Sequence, residues 1–199
     1  MKYEKPAPEF PHPASLRGFR EAARDRHFYL AHVSFGTFAD SCDVLANVLA
    51  ILCGVPTVDR ANHILDHMGR HGVTDPYPAK TWLKPAEETD NPWGLLKPAA
   101  ERTQDPRWRN PPYAYHNGGI WPFIGGYYVM ALLKTGRVDE ARAVMEKLAE
   151  GNAQTDQGRW GFHEWLHGVT GKPGGAPDQA WSAATFVMAY HAFSGGAEF

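Results

Sequence analysis

The chain is 199 residues long, a length that points to a single domain. Hydrophobic residues make up 43% of it, slightly under the usual share for a soluble protein and still enough to build a core. The net charge of -2 removes any electrostatic case for nucleic acid or an anionic membrane as partner. No apolar run approaches the roughly 18 residues that would span a bilayer.

Residues 1–14, rich in proline and charge, read as an extended arm, and the opening MKYEKPAPEFPHP lacks the apolar centre of a signal peptide. Ser15 is placed to cap a helix running to about Leu30. A second helix is expected over Asp40 to Cys53, where Val44, Leu45, Val48, Leu49 and Leu52 form an amphipathic stripe. Gly54 and Pro56 stop it. On one helix Cys42 and Cys53 would lie about 16 Å apart, beyond the roughly 7 Å that a disulfide spans. They therefore read as free thiols, which suits a reducing cytoplasm.

Thr57 restarts a helix with Ala61, Ile64, Leu65 and Met68 on one face, ending at Gly69. Residues 70–118 hold eight prolines and read as a long functional loop. A helix follows Pro122 to about Lys134. Thr135-Gly136-Arg137 turns the chain into another over Val138 to Glu150. Residues 151–178 are again loop. Asp178 is placed to cap a last helix whose face is Trp181, Ala184, Val187, Met188 and His191. The segment ANVLAILCGVPTVDRANHILDHM can be laid over YYVMALLKTGRVDEARAVMEKL, each a helix, a turn with glycine and a second helix. That self-similarity predicts an all-α fold of stacked helical hairpins. No run alternates long enough to predict a sheet.

Three polar, aromatic, glycine-rich segments at helix ends are candidate sites. In Tyr115-His116-Asn117-Gly118-Gly119-Ile120-Trp121-Pro122 the glycines allow close backbone approach, and His116 and Asn117 can donate and accept hydrogen bonds. A capping turn anchored by Trp121 explains the same residues. In Arg159 to Gly168, Glu164 lies among Trp160, Phe162, His163, Trp165 and His167. A carboxylate desolvated by such neighbours is suited to proton transfer near neutrality, and a capping or ion-pairing role is the plainer alternative. In Asp178 to Ala184, Gln179 and Trp181 stand at a helix N-terminus, where free N–H groups also point. The 13% of aromatic residues, many beside Gly, His or Pro, suits flat ligands such as sugar rings, with core packing the plainer use of any one ring.

His163-Glu164-Trp165-Leu166-His167 also matches the zinc-peptidase pattern H-E-x-x-H, which works only on a helix. The surrounding glycines and proline argue against one. His63 and His67, also four apart, read as a solvated face sooner than as metal ligands. No metal or cofactor is expected.

The order of these segments resembles the C-terminal part of the alkaline/neutral invertases. It is similar also to processing α-glucosidase, mannosylglycerate hydrolase and debranching-enzyme relatives, the six-hairpin glycosidases with an (α/α)6 barrel. Asp43 to Leu52 is like their segment joining an Asp to an Asn-x-x-Ala-Ile-Leu helix. The resemblance covers residues 38–193. It implies about half of such a barrel over residues 15–199 and inverting hydrolysis of an α-glucosidic or related bond by two carboxylates. Glu164 takes the place of the general base. His116, Asn117, Gly118, Gly119 and Trp121 take that of the sugar pocket, with Asp43, Trp160, His163, Gln179 and Trp181 beside them. Around Glu164 the sequence reads Trp-Gly-Phe-His-Glu-Trp where invertases carry Trp-Pro-Glu-Tyr, which points away from sucrose.

No segment matches the family's general acid, and Asp40 and Asp43 are candidates only by default. Two alternatives follow: a sugar-binding half-barrel without chemistry, or the zinc peptidase. Half a barrel would leave apolar helix faces uncovered. The expected partners are therefore a carbohydrate and either an upstream half-barrel or a second copy of the chain.

Overall fold

The computed structural model describes residues 26–31, 33–34, 37–38, 41–85, 110–155 and 160–195. Among these residues it contains five α-helices and two minimal antiparallel ladders. The helices are α1 (Val44–Leu52), α2 (Val58–Arg70), α3 (Pro122–Lys134), α4 (Val138–Asn152) and α5 (Ala180–Phe193). The ladders pair β1 (Val33–Ser34) with β2 (Thr37–Phe38), and β3 (Trp165–Leu166) with β4 (Pro173–Gly174). The all-α class and the stacked hairpins are as the sequence predicts. None of the described helices is long and apolar enough to cross a membrane. The 1–14 arm, residues 15–25 and Asp40 lie outside the described residues.

Local chemistry sets the helix starts. Asp43 caps α1 by accepting from the Ala46 N–H at 3.0 Å, and Thr57 caps α2 by accepting from the Arg60 N–H at 3.3 Å. Pro122 occupies the first turn of α3, where no amide hydrogen is required. α1, α3 and α5 form one row with α3 in the middle; α2 backs α1, and α4 backs α3 and α5. The middle position explains α3, which buries Ile124, Tyr128, Val129, Met130, Ala131 and Leu132 around its circumference. Arg137 ties the outer helices together, with its guanidinium 2.7 Å from Asp66 and 2.6 Å from Glu140.

Three expectations are corrected. The helix expected to reach Leu30 is absent over 26–30. There the Tyr29 N–H and carbonyl clamp the buried Asn47 amide at 2.7 and 3.0 Å, a pairing that needs backbone groups a helix would have used. The N-cap of α5 is Gln179 rather than Asp178, and Gln179 makes no side-chain capping bond.

The third correction concerns the facing of α5. Its buried residues are Ser182, Thr185 and Ala189, while Trp181, Ala184, Val187, Met188 and His191 are exposed. Close approach of two backbones is the reason. A Cβ on Gly126 of α3 would stand 2.7 Å from both the Cβ and the carbonyl oxygen of Thr185. Only small residues fit the α5 side of such a contact, so the large apolar side chains turn outward.

Candidate active site

The helix-end segments are joined by a chain of backbone bridges absent from the sequence reading. Val44 N–H donates to the Thr81 carbonyl at 2.9 Å, Thr81 N–H to Gly119 at 2.9 Å, and Trp121 N–H to Ala79 at 2.9 Å. Ile120 and Leu166 exchange both of their hydrogen bonds at 2.8 Å. The starts of α1 and α3 and the strand β3 are thereby fixed on one platform, which uses backbone polar groups that would otherwise be orphaned at helix ends. The expected loop over 70–118 supplies the middle of this platform through residues 79–82 and 117–120; its centre, 86–109, lies outside the described residues.

Glu164 enters β3 on this platform. Its own N–H donates to the Ala176 carbonyl at 2.8 Å, and the Ala176 N–H returns to its carboxylate at 3.4 Å. Gly175 passes so close beneath that a Cβ there would meet the carboxylate. The next residue, Trp165, lies over its cross-strand partner Gly174.

His116 and Trp121 form an aromatic surface at the start of α3. Their rings are stacked with centroids 4.6 Å apart and planes within 7°. The Trp121 indole N–H donates to the Tyr115 carbonyl at 3.0 Å. Burial against this neighbourhood lowers the proton affinity of His116 below the ordinary imidazole value, and the negative charge of Glu164 pulls it partly back. The Tyr115 ring, 4.1 Å from that of His116 and 6.2 Å from that of Trp165, links the loop of His116 to the strand that follows Glu164. One face of the His116 ring is covered by Trp121 and the residue remains open to solvent, so its imidazole is accessible as a donor and acceptor.

Other expected residues serve the architecture. Asn117 is buried and its side-chain N–H donates to the Asn110 carbonyl at 3.0 Å, which pins the loop. Gly118, at φ +86°, donates its N–H to the Thr81 hydroxyl at 3.1 Å, and a Cβ there would meet the Pro85 ring at 2.9 Å. A Cβ on Gly119 would collide with the Tyr115 backbone. The close approach made possible by both glycines is thus between protein segments. Asp43 uses one carboxylate oxygen as the α1 cap and is bridged to Trp82.

Trp160 stacks on Phe162 at 5.4 Å and packs against Phe186 of α5, in a separate aromatic group. Trp181 projects from the first turn of α5 and is 47% exposed. The Gln179 amide donates to the Pro177 carbonyl at 3.3 Å. The His163 carbonyl accepts from Ser182, and its ring packs against Gly161.

Tyr115 was missed as a site residue. Its ring is 4.1 Å from His116, 5.3 Å from Trp121 and edge-on to Trp165 at 6.2 Å, so it joins that aromatic surface to β3. The signal was its place at the head of the glycine motif; the φ of +42° that turns it inward could not be read there.

Residues 160–168 carry no helix. His163 and His167 flank the entry to a hairpin, where four extended residues span up to about 13 Å, and the His167 Nδ1 accepts from the N–H groups of Val169 and Thr170 at 3.2 and 3.3 Å. The premise of the zinc-peptidase pattern is not met. His67 is likewise no purely solvated residue: it packs on Phe28 at 4.9 Å. No group of three or more candidate metal ligands occurs among the described residues. Cys42 and Cys53 are both free, and burial, reinforced by the charge of Asp43, pushes the Cys42 thiol far above its ordinary pKa.

Comparison with known proteins agrees with this architecture. The chain is 31% identical over 164 residues to probable alkaline/neutral invertase F of Arabidopsis thaliana, covering 80% of this chain and 29% of that protein. It is 28% identical over 172 residues to cytosolic invertase 1 of Oryza sativa subsp. japonica, covering 81% and 27%. The fold superposes on the GH63 mannosylglycerate hydrolase of Thermus thermophilus, crystallised with Tris and D-glycerate, with a TM-score of 0.58. Sequence identity there is 18%, and coverage is 84% of this chain and 36% of that one. The glucose complex of the same enzyme gives a TM-score of 0.56 at 21% identity. The chain thus spans about a third or less of the length of these relatives. Residues 22–182 match the family described as the mannosylglycerate hydrolase MGH1-like glycoside hydrolase domain, and the chain belongs to that family of glycosidases.

Proposed function

We propose that residues 15–199 form part of a glycosidase catalytic domain that hydrolyses an α-glucosidic or related O-glycosyl bond with inversion, with Glu164 as the general base. The observation that carries this reading is the position of Glu164. Its backbone is fixed by Ala176, its carboxylate is met by the Ala176 N–H, and its charge is felt by the imidazole that lies on Trp121. A base in this place faces a wall of Tyr115, His116 and Trp121, whose flat rings suit the apolar faces of a sugar. Inversion requires a second carboxylate across the bond, with room for a water between base and sugar. Asp43 is poorly suited to be that acid because it caps α1, so the acid is assigned to residues outside this chain. We place the protein in the cytoplasm, in keeping with its free thiols.

The test is turnover of α-glucosides by the chain, supplied with the remaining barrel segment that carries the acid, and by the same assembly with Glu164→Gln. The amide removes the base without changing shape, so turnover should be abolished while glucose binding is retained. Near-normal turnover in the variant would remove Glu164 from the mechanism. The capping role of Asp43 favours a second reading, a sugar-binding half-barrel without chemistry. Glucose binding with no turnover even when the remaining barrel segment is supplied would select it.

A further inference from the structure

A cavity of about 490 Å3 shares none of its described lining residues with the Glu164 neighbourhood. Three separate segments contribute basic side chains to it: His27 from the strip before α1, Arg70 and His71 from the end of α2, and Lys84 from the segment after the platform. Its lining among the described residues contains no carboxylate. Arg70, His71 and Lys84 form no ion pair among the described residues either, in a chain whose net charge is negative.

The donors are held in place. The Arg70 Nε donates to the Asp66 carbonyl at 3.2 Å, which orients the guanidinium and leaves its two terminal nitrogens unbonded among the described residues. The His71 Nδ1 lies 2.8 Å from the His67 carbonyl. A carbonyl only accepts, so Nδ1 carries the hydrogen and the ring is oriented by that bond. The His67 and His71 rings are 4.1 Å apart, and His27 is 6.0 Å from His67. The strip bearing His27 is anchored from below, where Arg60 donates to the Arg26 carbonyl at 3.0 Å.

The carbonyl end of α2 by itself attracts cations, which accounts for Arg70 and His71. It does not account for His27 and Lys84, which arrive from other segments to face the same cavity. Convergent guanidinium, imidazole and ammonium groups with no carboxylate among them are the chemistry of oxyanion recognition. We propose that this cavity is a binding site for a phosphate group, free or esterified to a small sugar, separate from the glycosidic centre and independent of the assignment of Glu164.

The experiment is calorimetric titration of the full chain with inorganic phosphate and, in separate arms, with glucose 6-phosphate, acetate and glucose. Saturable phosphate binding is expected, weakened at least tenfold in Arg70→Ala and measurably in Lys84→Ala, and unchanged in Glu164→Gln. Tighter glucose 6-phosphate than inorganic phosphate would assign the group to an ester; the reverse would assign it to the free ion. Both variants alter exposed positions and should melt like the parent protein. The proposal is overturned by an absence of saturable phosphate binding, by equal affinity in parent and both variants, by acetate binding as tightly as phosphate, or by loss of phosphate binding in Glu164→Gln.

Discussion

His116 lies flat on Trp121, with ring centroids 4.6 Å apart and planes within 7°, while the Trp121 indole N–H is taken up by the Tyr115 carbonyl. The indole therefore supports the site twice, as the surface beneath the imidazole and as the tether of the loop that delivers it. Trp121→Ala removes a buried ring and both contacts, and should cost about 3–5 kcal/mol of stability. Trp121→Phe keeps a ring and loses the tether, a change of about 1 kcal/mol. Urea denaturation of the two variants checks the order, and glucose binding should weaken in both.

Glu164 raises the proton affinity of His116, while burial lowers it by more. Glu164→Gln should therefore move the His116 pKa further down, which an NMR titration of the imidazole would show. An unchanged or raised value would contradict the placement of the two groups. The sign for stability follows from the same shift. The folded imidazole is harder to protonate than the unfolded one, whose ordinary value is 6.5. Its contribution is intact above that pH and is lost as the pH falls through 6.5 toward the lower folded value. The loss should be steeper in Glu164→Gln, since removal of the carboxylate widens the gap.

At Gly126 the backbones of α3 and α5 approach closely. Gly126→Ala should force the helices apart and cost about 1–3 kcal/mol, read by chemical denaturation. The obstructing atoms include the Thr185 carbonyl carbon and oxygen as well as its Cβ. Shrinking the side chain in a Gly126→Ala/Thr185→Ser double variant should therefore leave most of the loss in place.

The outward stripe of α5 carries Trp181 at 47%, Val187 at 50% and Met188 at 44% exposure. α3, flanked by helices on both sides, shows the burial that an all-apolar helix reaches when surrounded. We infer that the stripe of α5 docks against further barrel helices, as the greater length of the relatives suggests. Val187→Lys/Met188→Lys should weaken binding of the chain to a separately produced segment carrying those helices, read by sedimentation velocity, without lowering the chain's own melting temperature. A monomeric parent protein would exclude a second copy as the occupant, and full activity in the double variant would exclude a functional contact there.

Helix positions were legible because they follow from local rules. Pro122 and the Thr135-Gly136-Arg137 turn delimit α3 as expected, and Thr57 caps α2 where a helix was expected to restart, whereas α1 begins at Val44 under the Asp43 cap and not at the expected Asp40. The candidate site was legible in part. The sequence order of His116, Trp121 and Glu164 suggested one neighbourhood, and the charge link between Glu164 and His116 and the ring stack join them. The bond by which Asn117 pins Asn110 was not legible, because an amide that pins a loop and one that holds a sugar look alike in sequence.

What the sequence by itself determined was the helical class, the hairpin order and the family. Each of these rests on periodicity, capping and motif order, which are local properties. The tertiary structure alone decided which way α5 faces and how the helix ends are joined. An apolar stripe states that a surface wants burial, yet the close backbone approach at Gly126 and Thr185 gave the inner position to the small residues. The bridges from Val44 through Thr81 and Ile120 to Leu166 are made by backbone groups, which every residue carries. No side-chain pattern marks them, so the platform that holds Glu164 is visible only once the chain is folded.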